Sequence, residues 1–393
     1  MIKYIDEEKI SNKRVLLRVD FNVTLTDGFK IADDARIRQS LPTIEYLLKS
    51  GNKLILTAHL DRPARRNKKH SLKIVANRLR EFLPKIKVTL VDDFLDEKGR
   101  KQLENQKKGE ILFLENIRFY EGEEKNDKEF SKKLASIADV YVNDAFGVAH
   151  RKSASVVGVT EFLPSYGGIL LKKEIDVIGK LLKNPRHPFV AIIGGSKVST
   201  KFELLHKLTK VADVLILGGG IANTFLAAKG LPVGRSLFEK KMEGEVEKII
   251  LEAKRHGTEI ILPEDVAVGD KKNNENGGEI RKVEDVKSKD VILDIGPETM
   301  AQYGRIIMTA KTIIWNGPVG YIENEQFKRG TDFLYYSIAH NTDVTSIVGG
   351  GDTIAAISKK EYLDNITHIS TGGGAMLEFI EKGTLPGIEA LKR

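Results

Sequence analysis

One pattern constrains this chain above all others: a short apolar run rich in Val, Ile and Leu, then a polar or glycine-rich turn, then an amphipathic stretch, repeated through both halves. The first half carries KRVLLRVD, KLILTAH, KVTLV, ILFLEN and DVYVNDAF. The second carries FVAIIGG, DVLILGGG, TEIILPE, VILDIG, TIIWNG, VTSIVGG and HISTGGG. Strands that alternate with helices are joined by crossovers, and crossovers make parallel sheets. Helix starts have local support. Asp33 or Asp34 can cap a stripe of Ile37, Leu41, Ile44 and Leu48, and Ser71 one of Leu72, Val75, Leu79 and Phe82. The fold class expected is α/β, as two doubly wound parallel-sheet (Rossmann-like) domains.

A length of 393 residues exceeds one ordinary core. GGILLKKEIDVIGKLLKNP reads as a single helix entered through Gly167 and Gly168 and stopped at Asn184 and Pro185. This predicts an N-terminal domain over 1–168, an interdomain helix and hinge over 169–185, and a C-terminal domain from 186, with a ligand cleft between the domains. The absence of cysteine removes disulfides, thiol nucleophiles and thiolate metal sites. No apolar run reaches the ~18 residues of a membrane span, so a cytoplasmic location is expected. A net charge of +8 fits a nucleic acid, a membrane surface or a small anion equally well.

Because such sheets bind ligands beyond the carboxyl ends of their strands, the turns decide the chemistry. Four in the second half are glycine-rich: Gly194 to Lys197, Gly218 to Gly220, Gly349 to Thr353, and Gly372 to Gly374. Glycine lets backbone amides approach a phosphate, and a following helix start adds partial positive charge. Equally, glycine merely permits a tight turn. None matches the P-loop, and Asn223, Ile354 and Leu377 stand where GxGxxG needs its last glycine. Lys197 and Lys201 are four apart and are read as one face of the helix after Gly194-Gly195, against its dipole unless an anion binds there. Asp352 suits a hard cation or a helix N-cap. Asn316 and the Gly317-Pro318 turn can form a wall, and Glu323 can accept ribose hydroxyls.

The first half offers side chains instead. In RVDFN, Val15, Leu17, Val19 and Phe21 alternate with Arg18, Asp20 and Asn22. Arg36, His59, Arg62, Arg118 and Arg151 stand at comparable strand ends or a helix start, suited to a phosphate and a carboxylate. Each arginine alone reads as a surface ion pair.

Taken in order, RVDFNV, AHLDRP, ENIRFY, NDAFGVAHR, GGSKVSTK, LGGGIANTFL, WNGPVG, GGGDT and STGGGA resemble the phosphoglycerate kinase family along nearly the whole chain. The resemblance implies reversible phosphoryl transfer from 1,3-bisphosphoglycerate to MgADP, giving 3-phosphoglycerate and MgATP, by a monomer that closes about a hinge. It further implies that Asp20 and Asn22 bind the glycerate end and that His59, Arg62, Arg118 and Arg151 hold the non-transferred phosphate. Phe21, Leu60 and Asp61 belong to the same two substrate loops, and Arg36 would contact the transferring end. Lys201, Gly350, Gly351, Asp352 and Thr353 would hold nucleotide phosphates and Mg2+, with Asp352 on the metal. Gly218, Gly219, Gly220 and Leu237 would line the base pocket, and Asn316, Pro318 and Glu323 would complete the nucleotide site. Transfer needs no protein nucleophile, so Arg36, Lys197, Lys201 and the amides of Gly372, Gly373 and Gly374 are the catalytic candidates. The resemblance ends the C-terminal domain near 380 and returns 381–393 to the N-terminal domain.

Three positions depart from the family pattern: Ala58 and Asp61 replace the serine and glycine of Ser-His-Leu-Gly-Arg-Pro, and Thr24 replaces a proline. The competing readings are a basic nucleic-acid-binding protein, prompted by RPARRNKKH, and a catalytically silent relative.

Overall fold

A computed structural model describes residues 1–26, 28–270, 278–357 and 360–392. Contacts divide the chain into two compact units, Met1–Asp176 with Lys382–Arg393, and Val177–Glu381. The division falls inside the helix Ile169–Lys183.

The first unit is built on strands β1 (Arg14–Arg18), β2 (Lys53–Thr57), β3 (Val88–Val91), β4 (Ile111–Leu114), β5 (Val140–Asn143) and β6 (Ser165–Gly167). They form one sheet in the order β3-β4-β2-β1-β5-β6, parallel throughout. Val15, Leu17, Val19, Phe21 and Val23 alternate into one core with Ile37, Ile44 and Leu47 of the helix Ala35–Lys49. Leu16, of opposite parity, is also fully buried, so helices cover both faces. From β1 the chain runs one way along the sheet and from β5 the other, which makes the β1/β5 edge a topological switch point.

Capping differs in detail from the sequence expectation. Asp33 Oδ1 accepts the Ala35 amide at 2.7 Å, whereas the Asp34 carboxylate goes to Arg38 and Arg78. Ser71 Oγ accepts from the Lys73 amide at 3.2 Å, and Glu115, just after β4, accepts both the Leu72 amide and the Ser71 hydroxyl. The start of Ile169–Lys183 is capped by buried Asp144, whose Oδ1 accepts the amides of Leu170 and Leu171 at 2.9 and 3.1 Å. Burial pushes that carboxyl up to about 7.

The second unit contains β7 (Phe189–Ile193), β8 (Val214–Leu217), β9 (Glu259–Ile261), β10 (Asp265–Val268), β11 (Glu279–Lys282), β12 (Ile292–Ile295), β13 (Thr312–Asn316), β14 (Thr345–Gly349) and β15 (His368–Ser370). Six of these form a parallel sheet ordered β15-β14-β13-β7-β8-β9, with its switch point between β7 and β13. One expectation is corrected: VILDIG, grouped with the parallel strands from its apolar run, is β12 of a separate antiparallel sheet, β11-β10-β12. Apolarity signals burial, and a four-residue run carries no direction.

Candidate functional site

In the first unit the turns beyond β1, β2, β4 and β5 bring the predicted polar residues together. Asp20 is buried, its Oδ2 lies 3.1 Å from Arg36, and its Oδ1 accepts the Asn22 amide. Arg36 also donates to the Asn22 carbonyl at 2.9 Å. The Asn22 side chain accepts the Asp61 amide at 2.8 Å, and Arg118 donates to the Asp61 carbonyl at 2.5 Å, so the Asp61 peptide ties two turns together. Asp61 itself has φ +56°, the left-handed region that glycine occupies at least cost.

Repulsion among the cations leaves a trace. Burial, followed by Arg151, lowers the pKa of Arg118, and burial, followed by Arg62, lowers that of Arg151. His59, only 3% exposed, is held well below its ordinary range by burial and then by Arg18, Arg118, Arg36 and Arg151. It is therefore a neutral imidazole among arginines.

Phe21 and Leu60 do not point into this cluster. Both side chains are fully buried in the core, with Phe21 edge-on to Phe113, so the two residues offer the site their backbone alone. Conversely, Arg18, placed on the polar face of its strand but left out of the candidate set, is central. With Arg118 and Arg151 it lines a cavity of about 270 Å³ together with Glu123 and Glu124. The polar alternation of RVDFN was the available signal for Arg18. Nothing in the local pattern marked Glu123.

The second unit uses its backbone. At the switch point the Gly194 amide donates to the Asn316 carbonyl and the Gly195 amide to that of Pro318, both at 3.0 Å. Gly195 and Gly317 have φ +108° and +93°. Asn316 joins three turns: Lys201 Nζ donates to its Oδ1 and to the Gly194 carbonyl, each at 2.7 Å, and its own Nδ2 donates to the Gly349 carbonyl at 2.8 Å. Thr353 Oγ1 accepts the Gly317 amide and donates to Gly349.

Here the lysine expectation is corrected. The helix begins at Phe202 with Lys201 as its N-cap, so Lys197 lies in the preceding loop, exposed, and the two do not share a helical face. The positive-φ turn at Gly195 delays the helix start. Likewise Gly350, not Asp352, occupies the N-cap of Gly351–Ala356. The Asp352 side chain lies outside the described residues.

Many of the glycines serve contact between turns. A Cβ on Gly194 would lie 2.1 Å from the Pro318 carbonyl, on Gly218 2.4 Å from Val319, on Gly220 2.5 Å from the Ser196 carbonyl, and on Gly373 2.7 Å from Gly350. Gly351 and Gly374 face open space. Gly372 immediately precedes the helix Gly373–Lys382, so Gly373 and Gly374 form its first turn. Gly219, Gly220, Leu237, Pro318 and Glu323 line one cavity of about 340 Å³. Part of its apolar wall, Val266, Ile292 and Leu293, comes from the antiparallel sheet that the sequence did not reveal.

Among the described residues no three His, Cys, Asp or Glu side chains gather as a metal cage. A cation carried by nucleotide phosphates needs one or two carboxylates, and Asp352 beside the Gly350 turn has that donor chemistry.

Two doubly wound sheets, one ending in a cluster of arginines around buried Arg18 and His59 and the other in interlocked glycine turns beside a cavity, define an α/β phosphotransferase architecture. The chain belongs to the phosphoglycerate kinase family, whose model matches residues 5–383, and it is accordingly a glycolytic kinase. It is 46% identical over 98% of both chains to a phosphoglycerate kinase of Koribacter versatilis. It is also 46% identical to the cytosolic phosphoglycerate kinase of Triticum aestivum, over 98% of this chain and 97% of that one. The solved phosphoglycerate kinase of Coxiella burnetii superimposes with a TM-score of 0.86 at 38% identity, covering 100% of this chain and 98% of that one. That of Pyrococcus horikoshii gives 0.85 at 33%, with the same coverage.

Proposed function

We propose that the first unit binds 3-phosphoglycerate or 1,3-bisphosphoglycerate and that the second binds ADP or ATP with Mg2+. One observation carries the reading: Arg18, Arg36, Arg118 and Arg151 all bear on neutral His59, a concentration of positive charge that a multiply charged anion would relieve. His59, Arg62, Arg118 and Arg151 take the non-transferred phosphate, Asp20 and Asn22 the glycerate end, and Arg36 the transferring end. In the second unit the cavity beside Gly219, Gly220 and Leu237 accepts the base, and Glu323 the ribose. The turns at 350–353 and 372–374, with Lys197 and Lys201, accept the phosphates. Asp352 would hold Mg2+, which when bound neutralises phosphate charge.

The step is in-line. The bond between phosphorus and the acyl oxygen breaks as one forms to the terminal ADP oxygen, and the carboxylate of 3-phosphoglycerate leaves with the electron pair. Positioning and charge neutralisation supply the catalysis. Because Arg36 belongs to one unit and Lys197 to the other, the reading requires the units to close about the helix Ile169–Lys183 and exclude water. A monomer in the cytoplasm completes it. No nucleic-acid fingerprint favours the alternative, and every catalytic candidate is present, which leaves a silent relative without support.

The test is a coupled assay of ATP formation from 1,3-bisphosphoglycerate and ADP. Arg36→Ala and Lys197→Ala are expected to lower kcat by about a hundred-fold or more. Full activity in both variants refutes the proposed charge stabilisation.

A further inference from the structure

Arg18 is 2% exposed, and an arginine buried to that degree is oriented by its partners. Its Nε donates to Ser155 Oγ at 2.9 Å, one terminal nitrogen to the carbonyls of Val19 and Thr57, and the other faces His59 Nδ1 at 3.3 Å. Guanidinium has no acceptor and stays charged, so the direction of each bond is fixed. Ser155 Oγ must accept from Arg18, and its hydrogen must then go to Glu123 Oε1, 2.7 Å away. The Ser155 amide donates to the other Glu123 oxygen at 2.9 Å. Glu123 is 2% exposed and Ser155 fully buried, while the Ser155 carbonyl is pinned by the Tyr141 hydroxyl at 2.7 Å.

The consequence reaches His59. Its Nδ1 must accept from Arg18, and Asp20 Oδ1, 4.0 Å from the same nitrogen, is too distant to compete. A neutral ring with Nδ1 as acceptor carries its proton on Nε2, which becomes its remaining donor.

We infer that Glu123 and Ser155 are positioning residues for the substrate phosphate: the buried carboxylate makes the Ser155 hydroxyl an acceptor, that acceptor orients Arg18, and Arg18 selects the Nε2–H tautomer of His59. The adjacent Glu124, 63% exposed in its side chain, serves Arg118 directly at 3.3 Å, so one short turn, Glu121–Glu124, supplies counter-charge to two arginines by different routes. This inference rests on the reading of the arginine cluster as the 3-phosphoglycerate site.

The experiment compares Ser155→Ala, Ser155→Thr, Glu123→Gln and Arg118→Ala in the full chain. In Ser155→Ala the KM for 3-phosphoglycerate should rise about ten-fold, with KM for ATP and kcat changed less than about three-fold. Nitrogen NMR of labelled histidine should show His59 as a single Nε2–H tautomer in the parent and as a mixture in Ser155→Ala. Ser155→Thr, which keeps the hydroxyl, should restore both. Glu123→Gln nearly preserves volume and should reproduce the KM effect, so the proposal stays testable if the alanine variant folds poorly. An unchanged KM with an unmixed tautomer, or equal rises in both KM values, overturns the relay. If Arg118→Ala also leaves the KM for 3-phosphoglycerate unchanged, the substrate-site reading itself has failed. A raised KM in Arg118→Ala alone defeats the relay and spares that reading.

Discussion

On the proposed reading the two units face the same physical problem, holding phosphate beyond the end of a parallel sheet, and their sequences meet it with opposite means. The first unit concentrates charge on side chains and must then hold those charges, which it does with Asp20, Glu123, Glu124 and the hydroxyl of Ser155. The second concentrates glycines. Lys201, its most obvious cation there, donates to the Gly194 carbonyl and Asn316. A site made of side chains is sensitive to charge and pH. One made of interlocked turns is sensitive to volume.

The largest test of that contrast adds one carbon to the second unit. Gly194→Ala drives a methyl into the Pro318 carbonyl, a backbone atom that cannot swing away, and should destabilise by about 3 kcal/mol. Gly374→Ala adds the same methyl to open space in the first turn of Gly373–Lys382 and should leave the fold intact or slightly more stable, while lowering kcat if the phosphoryl group approaches that turn. Denaturant titration of both variants decides it. Equal stability losses would mean that the glycines are not divided between turn packing and ligand approach.

The second test belongs to the first unit. His59 is folded with a depressed pKa, so below the unfolded value of about 6.5 the unfolded chain takes a proton that the folded one refuses. Its contribution is fully present above that pH and is lost as pH falls through the folded group's depressed pKa. Wild type should therefore lose stability relative to His59→Gln between pH 7 and 5, followed by denaturant midpoints. A gap between the two that stays constant with pH contradicts a neutral, arginine-surrounded ring.

The same contrast governs what could be read from sequence. Strand order cannot be seen in a run such as VILDIG, but the parallel class could, because crossover helices leave amphipathic segments such as 35–49 and 73–82. Glycine turns were visible as letters, yet their principal use was not: Gly194 meeting Pro318, or Gly220 meeting Ser196, joins residues remote in sequence. Local spacing placed Lys197 and Lys201 on one helix because periodicity cannot detect the positive φ at Gly195 that postpones it. In the first unit the outward-facing arginines were legible from the ends of strands. Glu123 was not, since EGEE looks like a solvated acidic turn until Ser155 closes over one carboxylate and leaves the next exposed.

The smallest expected effect belongs to Asp61, which stands where the family pattern has glycine. Asp61 holds a backbone that favours glycine and that bonds Asn22 and Arg118, while its carboxylate, 57% exposed and 3.8 Å from His70, adds negative charge to the same turn. Asp61→Gly keeps the peptide that bonds both neighbours and removes the αL strain, worth about 1 kcal/mol, against the flexibility glycine adds to the unfolded chain. Stability should change by less than about 1 kcal/mol, since the two terms oppose. Removal of the carboxylate should lower the KM for 3-phosphoglycerate about two- to five-fold at low ionic strength, and less in salt because the group is exposed. KM for ATP should not move if the nucleotide binds, as proposed, at the backbone turns of the other unit. A KM for 3-phosphoglycerate that is unchanged or higher in dilute buffer would show that the first unit tolerates the extra charge, and that its affinity is set by the geometry of the Asp61 peptide instead.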